Sequence, residues 1–116
     1  MSELSDYILK NNYKNMENIY ILVKFRLNNE NLIDDWKKMS AKISADMKWN
    51  DGFIFRDSAT DKDWNVYCIL KWESESKQKA FRVKMDKMFE EKPEIAKEFA
   101  RIVNMETMTK ELLEVL

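Results

Sequence analysis

The stretch "VYCILKWESESKQKAF", residues 66–81, changes its apolar spacing in the middle and thereby decides the fold. Up to Trp72 the side chains alternate with the two-residue period of a β-strand. After Ser74, which is a good helix N-cap, the apolar spacing becomes that of a helix. The stretch therefore predicts a strand over 64–73 that leads directly into a helix ending near Glu91.

The same two periods divide the rest of the chain. In chain order they predict a strand over 18–28, a helix over 31–48, a strand from Gly52, a polar hairpin loop over 57–63, the strand and helix just described, a helix over 93–103 and a last strand within 105–116. Asn31, with Asp34 three residues later, resembles a capping arrangement for the first helix. The last segment, "METMTKELLEVL", has residues typical of both strand and helix. A strand is favoured because a three-stranded sheet would leave one side of the first strand unpaired.

The order βαββαβ, with an extra helix before the last strand, predicts an α+β fold of ferredoxin-like type. We expect a four-stranded antiparallel sheet with helices on one face. A chain of 116 residues is one domain by length, and we expect that domain to span 18–116 behind a polar N-terminal arm over 1–17.

Composition restricts the environment and the partners. A net charge of -1 predicts no general attraction to nucleic acid or to an anionic membrane. No apolar run reaches the roughly 20 residues that a membrane span needs, and the N-terminus has no pattern of a signal peptide. A single cysteine fits a reducing compartment, so we expect a cytoplasmic protein.

The sequence contains no histidine. This excludes Ser-His and Cys-His activation of a nucleophile within the chain. It also removes the commonest metal ligand and the usual proximal haem ligand. With one cysteine as well, a structural zinc site has no ligand set, so we expect neither metal nor haem.

The sheet face without helices is expected to be partly apolar. Its apolar members would be Leu22, Ile54, Tyr67 and Ile69, and its basic members Lys24, Arg26, Arg56 and Lys71. A large exposed apolar patch is unusual for a monomer, and packing against a second copy removes it from water. We therefore expect a homodimer through this face, with the basic residues either binding an anion at the seam or pairing with the partner's carboxylates.

Three short segments resemble the antibiotic biosynthesis monooxygenase (ABM) family: the strand end "KWES", the helix segment "KAF" and the glycine that opens "DGFIFRD". The resemblance covers roughly residues 18–90. It implies a dimeric α/β barrel in which two ferredoxin-like subunits pack sheet to sheet. It also implies a ligand held between the sheet and its helices, near the tryptophan that Trp72 matches.

We expect that pocket to be lined by aromatic and apolar side chains from the strands and from two helices. The predicted lining is Trp72, Phe25, Phe55, Cys68, Leu70, Trp36, Met39, Phe81 and Met85. Two alternatives stay open: Trp72 as a space-filling core aromatic, and the methionines as gap-filling core residues. Nothing near Cys68 would lower its pKa, so an inert buried thiol is favoured there.

Two functions remain open. The resemblance implies a small dimeric monooxygenase that acts on a flat aromatic or quinol-type molecule without haem or metal. The electrons would come from the substrate itself, from a reduced flavin or from a reduced quinone. Phe25 stands where the haem-degrading branch has an asparagine, which argues against haem degradation. The alternative is a non-catalytic module of the same fold, for instance in a stress response, that binds a small hydrophobic ligand or a protein partner.

No residue is assigned a catalytic role. The polar side chains expected at the pocket mouth are Tyr7, Tyr13, Asn50, Asp57, Arg82 and Lys84. Three carboxylates, Asp57, Asp61 and Asp63, suggest a cation loop. The later glycine and the terminal glutamate of a calcium loop are missing, so a solvated hairpin is favoured.

Overall fold

The computed structural model describes residues 16–116 as four strands, three α-helices and one short 3-10 turn. The elements in chain order are β1 (Glu17–Leu27), the 3-10 turn (Glu30–Leu32), α1 (Ile33–Met47), β2 (Phe53–Thr60), β3 (Asn65–Ser74), α2 (Glu75–Glu91), α3 (Pro93–Ile102) and β4 (Val103–Glu114). The N-terminal arm predicted over 1–17 lies almost wholly outside the described residues.

The four strands form one open antiparallel sheet in the order β2-β3-β1-β4. In the centre, Ile19 lies opposite Trp72 and Phe25 lies opposite Val66. The predicted α+β class and the four-stranded antiparallel sheet are confirmed. The C-terminal segment is a strand, as predicted, and it pairs with the side of β1 that β3 leaves free.

The core lies on the inner face of the sheet, beneath the helices. Alternate residues of β1 and β3 point to this face and are almost completely buried: Ile19, Ile21, Phe25, Val66, Cys68 and Trp72. The helices cover them with Trp36 and Met47 from α1 and Ile102 from α3. Two-residue alternation over a buried face fixes the register of both strands.

The opposite, outer face of the sheet mixes aromatic, apolar and basic side chains. Ile69 is 38% exposed and contributes apolar surface, whereas Lys71 and Lys24 each lie over an aromatic ring of the neighbouring strand. The Nζ atom of Lys71 is 5.4 Å from the ring centre of Tyr20, and that of Lys24 is 5.6 Å from the ring centre of Tyr67. These cation–π contacts hold the two lysines against the face.

A β-bulge at Ile54 changes which residues of β2 face the core, so the predicted alternation along this strand is wrong. Phe53 lies opposite Trp72, but Phe55 lies opposite the very next residue of β3, Lys71. The extra residue exchanges the two faces for the rest of the strand. The expectation that Phe55 faces the core is therefore wrong, and so is the expectation that Arg56 belongs to the outer basic group.

Two predicted boundaries are also corrected. The helix start is capped by Asn29, whose side chain accepts a hydrogen bond from the N–H of Asn31 (2.8 Å), and α1 begins only at Ile33. The predicted polar loop over 57–63 is shorter, because β2 continues to Thr60. The predicted N-cap at Ser74 is confirmed: its hydroxyl accepts from the N–H of Lys77 (3.2 Å).

The turn between β2 and β3 is organised by the carboxylate of Asp61. Its Oδ1 accepts from the backbone N–H groups of Asp63 (2.9 Å) and Asn65 (3.0 Å). Its Oδ2 accepts from the Asn65 side-chain amide (3.0 Å) and the hydroxyl of Tyr67 (3.1 Å). The hydrogen bond from the Asn65 side chain is the largest of the effects that lower the pKa of Asp61 from 3.8 to about 2.

We predict that Asp61 makes the stability of the domain sensitive to acid. Its folded-state pKa of about 2 lies below the ordinary 3.8, so the ionised form is the one that the fold favours. The stability it contributes is present above pH 3.8 and is lost as the pH falls from 3.8 towards 2. Urea unfolding across this pH range should show a weaker acid dependence in Asp61→Asn than in the wild type.

Asp63→Asn is the matched control. Within residues 16–116, the hydrogen bonds of this turn are accepted by the carboxylate of Asp61 and not by that of Asp63. The control should keep the wild-type acid dependence. Equal acid dependence in Asp61→Asn and the wild type would contradict the assignment.

Candidate functional site

Trp72, the expected centre of the pocket, is fully buried in the core. Its indole contacts Phe53 on one side and Phe81 on the other, with ring centres 5.5 Å and 5.3 Å away. Its Nε1–H has no acceptor within residues 16–116. A buried unpaired donor costs roughly 1–3 kcal/mol, which the packing around it has to offset. The structure places Trp72 in the role of the core aromatic.

The other predicted pocket residues separate into four places. Phe25, Cys68 and Leu70 are buried in the core with Trp72. Phe55 lies on the outer face, where its ring centre is 6.2 Å from that of Tyr20.

The remaining four predicted residues reach open space, but not one common pocket. Met39, Phe81 and Met85 line a cavity between the helices, whereas Trp36 lines a groove between α1 and β2. The predicted single pocket therefore corresponds to two cavities, one on either side of α1.

The first is an apolar cavity of about 400 Å³ between α1, α2 and α3, here called the interhelical cavity. Its walls are apolar side chains from all three helices: Met39, Ile43, Phe81, Met85, Met88, Phe89, Ile95 and Phe99. Charged side chains surround it, namely Lys42, Asp46, Glu94 and Glu98. This combination suits an apolar molecule with a polar substituent near the charged residues.

The cavity follows from the way α2 packs. This helix has 17 residues, and none of them is fully buried. Phe81, Met85, Met88 and Phe89 form one apolar stripe, but each of these side chains is only half-buried. The stripe therefore faces α1 and α3 without closing the space between them. The sequence signal for the cavity was this methionine-rich stripe, which also fits an ordinary core.

The second is a polar groove of about 530 Å³ between α1 and β2, here called the edge groove. Side chains with hydroxyl groups and cations line much of it: Ser40, Ser44, Ser58, Thr60, Lys37 and Arg56. The Nε1–H of Trp36 donates to the Ser58 hydroxyl (3.2 Å) at its base. Sequence reasoning missed this groove because Arg56 was assigned to the other face of the sheet.

The thiol of Cys68 lies beneath the edge groove. Burial raises its pKa above the ordinary 9.0, and the nearby charge of Arg56 offsets only part of that effect. Its Sγ donates to the Ser58 hydroxyl at 3.7 Å. A thiol with a raised pKa stays protonated at neutral pH, which agrees with the interpretation of Cys68 as inert.

The polar side chains expected at a pocket mouth do not come together. The Asn50 amide donates to the backbone carbonyls of Asp46 (2.9 Å) and Met47 (3.3 Å) at the end of α1. Asp57 lies opposite Ile69, at a position that faces the outer side of the sheet, and it also borders the edge groove.

The other four polar candidates fall on α2 or outside the described residues. Arg82 and Lys84 are exposed on α2 and do not line the interhelical cavity. Tyr7 and Tyr13 lie outside the described residues.

Two general properties complete the description of residues 16–116. No three histidine, cysteine, aspartate or glutamate side chains within this range come together as a metal site. No helix within it combines the length and the apolar character that crossing a membrane requires.

Comparison of the chain with protein-family models, with curated proteins and with solved structures gives no significant match. The resemblance to the ABM family therefore rests on the residues quoted for it.

We predict that Trp72 acts through packing. Trp72→Ala should lower the free energy of unfolding by about 3–5 kcal/mol, since it empties a large fully buried volume. Trp49→Ala is the control, because Trp49 is 84% exposed, and it should change stability by less than about 0.5 kcal/mol. Urea denaturation followed by circular dichroism measures both. A folded Trp72→Ala protein that loses less than about 1 kcal/mol would identify Trp72 as a pocket wall instead.

Proposed function

We propose that the chain is a non-catalytic binding protein that holds a flat apolar molecule in the interhelical cavity. The main support for this proposal is the cavity, which has a volume of about 400 Å³ and is walled by apolar side chains from three helices. Ligand sites for small molecules commonly measure about 300–1,000 Å³, so a molecule of two or three fused rings fits.

The chemistry of the walls supports a flat, aromatic ligand. Phe89 and Phe99 lie against each other with ring centres 6.5 Å apart, and Phe81 adds a third ring. Met85 and Met88 supply flexible thioethers, which adapt to ligands of different outline and make favourable contacts with aromatic rings. Burial of such a ligand would remove both its own apolar surface and that of the α2 stripe from water.

The charged surroundings support a ligand with one polar substituent. Lys42 and Asp46 come from α1, and Glu94 and Glu98 from α3. The guanidinium of Arg101 hydrogen-bonds Glu98 and holds the pKa of that carboxyl below its ordinary value. Glu98 is therefore ionised at neutral pH, and it favours a hydrogen-bond donor, such as a phenol, over an anion at this end of the cavity.

A cofactor-independent monooxygenase that oxidises a quinol-type molecule is the second candidate. The observation in its favour is that carboxylates, Asp46 and Glu94, border a cavity that is otherwise apolar. Such a carboxylate offers a place for the proton of a bound phenol. Oxygen uptake distinguishes this activity from binding alone.

We also propose that the domain is ferredoxin-like and pairs with a second copy through its outer face. The strand order β2-β3-β1-β4 and the helical crossovers support that topology. The distribution of charge on the outer face supports this pairing, because a two-fold axis can bring cations of one copy beside carboxylates of the other. Lys24 and Lys71 lie on the central strands, whereas Asp57 and Glu111 lie on the edge strands.

The test of the binding function uses 1-naphthol as a flat probe with one hydroxyl group. Calorimetric titration should show binding to the wild type. Met88→Trp adds volume to the cavity wall and should weaken binding about tenfold or more, as expected for about 1.4 kcal/mol of steric conflict.

Val83→Trp is the matched control on the same helix, because Val83 is 66% exposed and does not line the cavity. It should bind like the wild type. Absence of binding to the wild type, or equal binding to the folded Met88→Trp protein, would contradict the proposal. If the wild type takes up oxygen with naphthohydroquinone and Met88→Trp does not, the function is that of the second candidate, the monooxygenase.

For the dimer, sedimentation equilibrium at micromolar concentration should give twice the chain mass of 14.0 kDa. Ile69→Lys places a further cation at the centre of the outer face and should shift the equilibrium towards the monomer. Val83→Lys on α2 is the control and should leave the mass unchanged. A wild-type monomer under these conditions would contradict the pairing.

A further inference from the structure

The bulge in β2 turns Arg56 from an edge strand into the edge groove, where it is half-buried. Its Nη1 donates to the hydroxyls of Ser40 (2.7 Å) and Ser44 (2.9 Å) and to the backbone carbonyl of Ser40 (3.1 Å). Its Nη2 lies 3.6 Å from the sulfur of Cys68. All of these partners are neutral, and within residues 16–116 the guanidinium makes no ion pair.

A half-buried guanidinium without a carboxylate is unusual, because partial burial removes hydration that a counter-charge normally replaces. The exposed Arg101 shows the ordinary arrangement in this molecule: it pairs with both Asp35 and Glu98. In the edge groove a second cation, Lys37, adds to the positive charge. The one carboxylate that the described residues contribute to the lining, Asp57, comes from a strand position that faces the outer side of the sheet.

The hydrogen bonds to the two serines fix which edge of the guanidinium is open. Nη1 is engaged by Ser40 and Ser44 and one N–H of Nη2 by the sulfur of Cys68, whereas no acceptor for Nε occurs among the described residues. Nε–H and one N–H of Nη2 form the side-on fork that binds the two oxygens of a carboxylate or phosphate. The hydroxyl of Ser58 and that of Thr60 border the same groove and can donate to an oxyanion.

The second observation is the backbone of Trp64, which borders the groove with a φ of 65°. A positive φ is rare and strained for a bulky residue, and such strain concentrates at ligand clamps. A glycine would adopt this conformation freely. The strained turn instead carries a tryptophan that is 39% exposed and lines the groove together with the buried Trp36.

From these observations we propose that the edge groove binds a small organic anion: an aromatic ring that bears a carboxylate or a phosphate. The oxyanion lies on the Nε–Nη2 edge of Arg56, and the ring lies along Trp64. The groove of about 530 Å³ accommodates such a molecule. This site lies on the other side of α1 from the interhelical cavity, and it does not depend on the function proposed for that cavity.

The experiment titrates the full chain with four probes, followed by the indole N–H resonances of Trp36 and Trp64. Benzoate and phenyl phosphate carry ring and anion, benzyl alcohol carries only the ring, and inorganic phosphate carries only the anion. We expect benzoate or phenyl phosphate to shift both resonances at millimolar concentration or below, and whichever binds more tightly identifies the oxyanion. Benzyl alcohol should bind at least about tenfold more weakly.

Two variants separate the parts of the site. Arg56→Lys keeps the charge and loses the fork, so it should weaken binding of the better anion about tenfold or more. Arg101→Lys is the matched control on an exposed arginine and should bind like the wild type. Trp64→Gly relieves the strain of the positive φ, so it should keep or raise the melting temperature. It should weaken the binding of the aromatic anions and leave the binding of inorganic phosphate unchanged.

Three results would overturn the proposal. The first is no shift of the two indole resonances with either aromatic anion. The second is equal binding by the wild type and a folded Arg56→Lys protein. The third is a folded Trp64→Gly protein that binds the aromatic anions as tightly as the wild type, which remains decisive even when Arg56→Lys does not fold.

Discussion

The alternation of side chains along the paired strands β1 and β3 is the constraint on which the rest of the structure depends. Ile19 and Phe25 point to the helices and are buried, whereas Tyr20 and Lys24 point to the other side. A shift of one residue in this pairing would exchange the two faces and expose the core. The helices, the inner core and the basic outer face all follow from this one register.

β2 departs from regular alternation once, at its bulge, and the bulge places Arg56 in the edge groove. The extra residue at Ile54 lets Phe53 fill the core beside Trp72 and then sends Phe55 to the outer face. The same step carries Arg56 inward to the serines of α1. Bulges near the edges of sheets often redirect a side chain towards a functional site. Here the redirected side chain is Arg56, whose hydrogen bonds go to the neutral groups of Ser40 and Ser44 beside an open groove.

The sequence predicted the parts of the fold that depend on local periodicity. The strand that ends at Ser74 and the cap by that residue were readable, because each depends on neighbouring residues. The C-terminal strand was predicted from the sheet instead, because its own residues fit both strand and helix and β1 needs a partner on its free side. The bulge was not readable, because "FIFRD" alternates regularly and either register places Phe53 beside Trp72. The contacts that differ are tertiary ones: Phe55 with Tyr20, and Arg56 with the serines of α1. The helix start was misplaced because several asparagines compete there, and Asn29 makes the hydrogen bond.

The candidate sites were predictable only in part, for a related reason. The methionine stripe placed Met39 and Met85 beside a cavity, but a sequence does not reveal whether facing helices close the space between them. Trp72 was expected to border that space. In the structure its indole is enclosed between two phenylalanine rings, so the open volume lies farther out, among the helices.

The most direct measurement of this account is a nuclear Overhauser spectrum of protein with selectively labelled phenylalanine. We expect contacts from the ring of Phe55 to the ring of Tyr20, and from the ring of Phe53 to the indole of Trp72. Contacts from the ring of Phe55 to Trp72 or Phe25 would mean that β2 has no bulge. The division of the sheet into a core face and an outer face with Arg56 on the inner side would then be wrong.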